Sequence, residues 1–232
     1  MLQANPIKGA GDPFKLLGCL VDCKLQMHQA IDKILAQARP KATAILRMRS
    51  HYCTKELLNQ FKTHIWSILE IHNGAIFHAA SGDIKRIDDF QKHFVEKLDL
   101  DEETAFLEFN FAPPMLRRDI GILGLLQKRV LGKAHPVFQE LLPFHRDIYG
   151  YIRMGVGEHD KQLDGRVMEV HRQYDLYDRS IFAMTAKYNK LPQEVVDAKT
   201  VSIFQSMLTK IAKVQCEGGD ERWKYIFHSR RR

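Results

Sequence analysis

The sequence predicts a mainly α chain, an irregular helical bundle with one short β element at its N-terminal end. Three observations predict it. Apolar residues recur at helical spacing from Leu25 to Ile211. The interruptions coincide with Pro, Gly and Asn, the residues that end helices. Only Phe14–Val21, short and apolar with Gly18 inside it, reads as a strand or hairpin arm.

The elements follow in order. Leu25, His28, Ile31, Ile34, Leu35, Ala38, Ala42 and Ile45 share one helical face. Pro40 interrupts that run but not its phase, so a kinked helix or two helices nearly in line are expected. Thr54 is placed to cap the next helix, with Glu56 in its first turn. Leu57, Leu58, Phe61, Ile65, Ile68 and Leu69 form its buried stripe, and Asn73-Gly74 is a natural stop. A helix near Asp83 buries Ile84, Ile87, Phe90 and Phe94, and Asp101 opens a short one. After Pro113-Pro114, Leu116, Ile120, Leu123, Leu126 and Val130 keep helical spacing. Gly121 and Gly124 weaken that helix by about 1 kcal/mol each. Between Arg146 and Gln173 the period fades, which predicts a long loop and a boundary. Helices return before Asn189 and after Thr200, and Trp223 and Phe227 close the chain before a frayed basic tail.

Hydrophobic residues make up 45% of the 232, enough for a packed core. No stretch approaches eighteen consecutive apolar residues, so no membrane span is predicted. The first residues have no secretory pattern. Cys19, Cys23, Cys53 and Cys216 lack paired ligand spacing, which favours reduced, structural thiols in an intracellular protein, nuclear or cytoplasmic. The net charge of +7 is uneven. Residues 1–63 carry +6, residues 64–113 carry −6 and residues 114–232 carry +7. That layout suits a chain that meets a polyanion with some faces only, and equally a chain that is merely soluble.

Catalytic constellations are not legible. Asp88-Asp89 is the only adjacent aspartate pair, and neighbouring helical residues point about 100° apart. Asp89 and His93 share a face, but two ligands without a third make a poor metal site. No nucleophile elbow or phosphate-binding loop occurs, and Gly155–Asp160 reads as flexible chain. Two basic clusters remain. Lys41, Arg47, Arg49, Lys55 and Lys62 lie on or beside the first helices, and Arg117, Arg118, Lys128, Arg129 and Lys133 form a second possible face. Each could meet nucleic-acid phosphates, and each could be ordinary solvated charge.

The order of these segments resembles the region after the catalytic core in reverse transcriptases of non-LTR (LINE-type) retrotransposons. Phe14, Leu17, Gly18, Val21, Asp22, Leu25, Met27 and Ile31 match that family's aromatic, Leu-Gly and Val-Asp positions. Gln91 matches the Gln of a later helix, where Val95, Glu96 and Lys97 stand in place of the usual Arg. Arg117, Arg118, Leu123, Lys128 and Arg129 match an Arg-Arg helix. Tyr188, Asn189, Leu191, Pro192, Val201 and Phe204 match a C-terminal segment, so the likeness runs over residues 14–215.

The resemblance implies a thumb-like fold in segments. Residues 1–23 would be a primer-grip-like hairpin, with Phe14, Leu17, Gly18 and Asp22 as its marks. Residues 24–145 would be thumb and post-thumb helices, 146–173 a linker, 174–228 a C-terminal helical segment and 229–232 a basic tail. It implies a template–primer of RNA or DNA, gripped by its backbone, and the polymerase palm as partners. The palm's carboxylates, which hold paired Mg2+ in a complete polymerase, are expected to be missing, so the chain alone needs no cofactor and should not polymerise. Two alternatives stand beside this: a free-standing helical protein-interaction module, and a relic reading frame without selected function.

Overall fold

A two-residue turn joins the first two strands. Strands β1 (Phe14–Leu16) and β2 (Cys19–Val21) pair antiparallel, Phe14 opposite Val21 and Leu16 opposite Cys19. Leu17 and Gly18 both take positive φ, 48° and 87°, as a tight hairpin of this twist requires. The computed structural model describes residues 13–144, 159–165 and 175–230. The chain divides into two compact units, Met1–Leu100 and Asp101–Arg232. Among the described residues the fold is mainly α, with this hairpin as its one sheet.

In the first unit, helix α1 (His28–Arg47) passes through Pro40 as a single element. Proline removes one donor, which orphans the carbonyl of Ala36. Both residues are exposed, so that carbonyl is not shut away from solvent and the helix continues. Helix α2 (Thr54–Phe61), a π turn (Lys62–Trp66) and helix α3 (Ser67–Glu70) form one continuous rod. Cys53 rather than Thr54 takes the cap position, and the Glu56 carboxylate accepts its backbone N–H at 2.9 Å.

The π turn has a cause in the sequence. Leu57, Phe61, Ile65 and Leu69 are all buried and spaced by four. In a regular α-helix a spacing of four drifts about 40° per step, or about 120° over three steps. The wider π turn takes up most of that drift and keeps all four on the core side. Helix α4 (Asn73–Ile76) occupies the expected stop, because Asn73 and Gly74 begin a short turn of helix instead of ending one. Helix α5 (Ser81–Glu96) packs Ile84, Ile87, Phe94 and Val95 toward α1. Phe94 meets Phe61 with ring centroids 4.4 Å apart.

The second unit begins where Asp101 caps helix α6 (Glu102–Phe109), its carboxylate accepting the Thr104 N–H at 2.7 Å. The division therefore falls inside the 24–145 stretch that the sequence suggests is continuous. Helix α7 (Pro114–Val130) and helix α12 (Val201–Glu217) form its main packed pair. Between them in sequence come α8 (Val137–Leu141), α9 (Asp175–Asp178), α10 (Ile181–Tyr188) and α11 (Gln193–Val196). Gly124 is a contact point of the pair: a Cβ there would lie 3.2 Å from the Val201 side chain and closer still to Gln205. Gly121 faces open space. A 3₁₀ turn, Trp223–Tyr225, stacks Trp223 on Phe106 at 4.9 Å.

The core of this unit is not wholly apolar. Gln127 is fully buried and donates to the carbonyls of Val196 (3.0 Å) and Ala198 (3.2 Å). The hydroxyl of Tyr188, also fully buried, donates to the Gln127 carbonyl oxygen at 2.6 Å. Burial pushes that phenol well above its ordinary value. The His159 ring pairs with the Tyr188 carbonyl at 3.0 Å. Most of the expected 146–173 loop lies outside the described residues, but 159–165 is built into the unit. His159 and Leu163 are buried there, and the Asn189 side chain bonds both the N–H and the carbonyl of Leu163. The flexible reading of this stretch therefore fails at His159. The tail reading fails at residues 228–230 as well. His228 Nδ1 meets the buried Asp119 carboxylate at 3.1 Å, and Arg230 is buried; residues 231–232 lie outside the described set.

Candidate nucleic-acid interface

From Lys33 to Lys55 the sequence holds six Lys or Arg and no carboxylate. The structure places this run on α1 from Lys33 to its end, the turn after it and the first residue pair of α2. Lys41, Arg47, Arg49 and Lys55 are all exposed, as are Lys33 and Arg39. The reason is periodic. The buried positions of α1 are Ala30, Ile31, Ile34, Leu35, Ala38, Ala42 and Ile45, and the cations fall between them. They do not form one stripe: at about 100° per residue, Arg39 and Lys41 sit on opposite flanks of the helix. Lys62 stands apart, half-buried with its ammonium 5.7 Å over the Trp66 ring. The indole N–H of Trp66 in turn donates to Gln91 at 3.0 Å.

Charge is sorted along α1. At its N-terminal end His28 lies between two carboxylates, 2.7 Å from Asp83 and 3.3 Å from Asp32. Arg86 bridges the same pair, and its guanidinium holds Asp32 below the usual carboxylate range. No ion pair among the described residues involves Lys41, Arg47, Arg49 or Lys55.

The hairpin presents apolar side chains to solvent. Leu17 at its tip is 92% exposed, and Phe14 and Leu16 are about half exposed. A groove of about 240 Å³ runs beside it, lined by Leu17, Cys19, Ala30, Lys33, Ile34 and Ile71 among others. Asp22 does different work. Its carboxylate accepts the N–H groups of Lys24 (3.0 Å), Gln26 (3.0 Å) and Met27 (2.6 Å). Partial burial raises its pKa, but the hydrogen bonds from Gln26, Met27 and Lys24 outweigh that and hold it below the usual value. Asp22 thus fastens the bend that carries the chain into α1, where Leu25 and Met27 take left-handed φ.

The second basic cluster is dispersed by the fold. Arg118 and Arg129 are buried at 4% and 6% exposure. Arg129 Nε donates to the Leu142 carbonyl at 2.9 Å, its guanidinium lies 4.4 Å over the Phe144 ring, and burial lowers its pKa. Arg117 is half-buried, and only Lys128 and Lys133 are exposed. The five therefore do not make a continuous surface. Among the described residues no group of His, Cys, Asp or Glu could hold a metal ion, and no helix is long and apolar enough to cross a membrane.

No family model matches this chain, and no curated protein or solved structure matches it.

Sequence reasoning placed Lys41, Arg47, Arg49 and Lys55 in a cluster but passed over Lys33 and Arg39, which extend it. The signal for both was present, since each falls between apolar positions of the same helix. Burial of Arg118 and Arg129 was also readable in principle. They stand four before and seven after Ile122, on the same helical face as that buried residue.

Proposed function

We propose that this chain is a non-catalytic, thumb-like segment related to the C-terminal part of non-LTR reverse transcriptases, and that it holds nucleic acid by its phosphate backbone. The observation that carries the reading is the 33–55 run: six exposed cations, no carboxylate among them, on α1, the turn after it and the start of α2. Cations fanned around a helix suit recognition of a duplex by shape and charge, since no single stripe enters a groove to read bases. The likeness in order of elements gives the same direction. On this reading the chain does not extend a primer by itself, because the paired metal-binding carboxylates belong to a palm domain.

The test is the salt dependence of binding to an RNA–DNA duplex, followed by fluorescence anisotropy. Four phosphate contacts give a log–log slope of about −3 to −4. Arg47→Ala with Arg49→Ala should flatten that slope by about 2 and weaken every sequence alike. A slope near zero, or unaided primer extension, overturns the proposal.

One observation favours the protein-interaction reading. The groove beside the exposed hairpin is largely apolar, with Leu17 and Ile71 at its rim. Under that reading a partner would bind with little salt dependence, and the Arg47 and Arg49 changes would leave its affinity intact.

A further inference from the structure

The second unit holds a cavity of about 610 Å³ where the ends of α10 and α12 meet the stretch from Asp220 to Arg230. Lys187, Arg222, His228 and Arg230 line it, with Tyr225 and Ile226 as its less polar wall. Its one lining carboxylate, Asp220, accepts the backbone N–H of Arg222 at 2.8 Å. Behind it the buried Asp119 holds His228 by Nδ1, which fixes the ring in place. Lys187 and Arg222 make no ion pair among the described residues.

This combination points to an anion. Burial first, and the Lys190 charge second, lower the pKa of Lys187 against the pull of Asp119. A ligand that brings negative charge would offset that cost. An arginine fork and a lysine point charge are both suited to phosphate oxygens. The volume lies in the range of small-molecule sites and exceeds what inorganic phosphate fills. We propose that this pocket binds a phosphate monoester of nucleotide size, its phosphate between Lys187 and Arg222 and its organic part against Tyr225 and Ile226. Such a group occurs on a free mononucleotide and at the 5′ end of a strand.

The experiment uses the full chain and the fluorescent N-methylanthraniloyl ester of AMP. Binding should be displaced by AMP at least tenfold more effectively than by adenosine. Arg222→Ala, at an exposed position, and Lys187→Met should each weaken binding tenfold or more, while Lys187→Arg stays within threefold. Displacement by a 5′-phosphorylated hexanucleotide as well as by AMP places the strand end in the pocket. Displacement by AMP and not by the hexanucleotide identifies a free nucleotide. Equal displacement by adenosine, or by a hexanucleotide with a 5′-hydroxyl, overturns the proposal. So does binding that survives both substitutions, or no binding at millimolar probe. The 33–55 surface lies in the other unit, so Arg222→Ala leaves affinity for a duplex with 5′-hydroxyl ends unchanged and the two proposals fail separately.

Discussion

The two units handle their positive charge in opposite ways. In the first, the cations of the 33–55 run stay in water, while the buried face of the helix beneath them is apolar. In the second, Arg118 and Arg129 are drawn into the fold, and Lys187 and Arg230 are turned toward a cavity. Sequence clusters that look alike therefore differ in consequence. A cation placed between apolar positions of a helix remains on the surface, where it can meet a partner. A cation placed on the apolar stripe must find a carbonyl, a ring or a counterion inside, because an unpaired buried charge is costly.

That difference is sharpest in a pair of alanine substitutions. Arg129→Ala removes the donor from the Leu142 carbonyl and the cation from the Phe144 ring, so it should cost about 2 kcal/mol in denaturant unfolding. Arg47→Ala should change stability by less than about 0.5 kcal/mol and act on nucleic-acid affinity instead. Equal losses from the two would erase the contrast.

Asp22→Asn comes next. Asparagine keeps one acceptor oxygen where three N–H groups converge, so a loss of about 1 kcal/mol at neutral pH is expected. The Asp22 pKa is depressed in the folded state, so its contribution is present above the ordinary value of 3.8 and fades as pH falls through the lower folded value. Thermal midpoints of the wild type and the variant should converge in that acid range. A gap that is constant from pH 7 to pH 3 would show that the carboxylate's charge is not what fastens the bend.

The smallest effect tests two glycines of one helix. Gly121→Ala, with open space around it, should stabilise by about 0.5–1 kcal/mol. Gly124→Ala should not, because the new methyl would crowd Gln205 and Val201 on α12. The same sign at both would mean that α7 and α12 approach less closely than described.

Much of this architecture was legible from residue spacing. Helices α1, α5, α7 and α12 follow strong apolar periods, the hairpin follows a short apolar run around Gly18, and the Asp101 and Thr200 caps stand where the residue types put them. Elements were lost where a local rule met a tertiary one. Asn73-Gly74 has the chemistry of a stop, yet Ile76 and Phe77 beyond it are buried and hold the chain in another helical turn. Residues 159–165 show no period because hydrogen bonds, among them those of Asn189 and Gln193, secure them rather than a repeating apolar face. The candidate site was half legible. Charge composition located the 33–55 run, but the pocket around Lys187 draws on residues 187 to 230, and no local pattern joins them.

The widened turn at Lys62–Trp66 carries a consequence for length variation. It works as a shim: one surplus residue lets the rod present two apolar registers to a single core. Removing a residue at Thr63 or His64, both exposed, should relax the bulge into ordinary helix and leave the faces on either side nearly aligned. The same removal two turns earlier, inside α2, would instead swing Phe61 and everything after it out of register. Tolerance to a one-residue deletion should therefore change abruptly along a single rod.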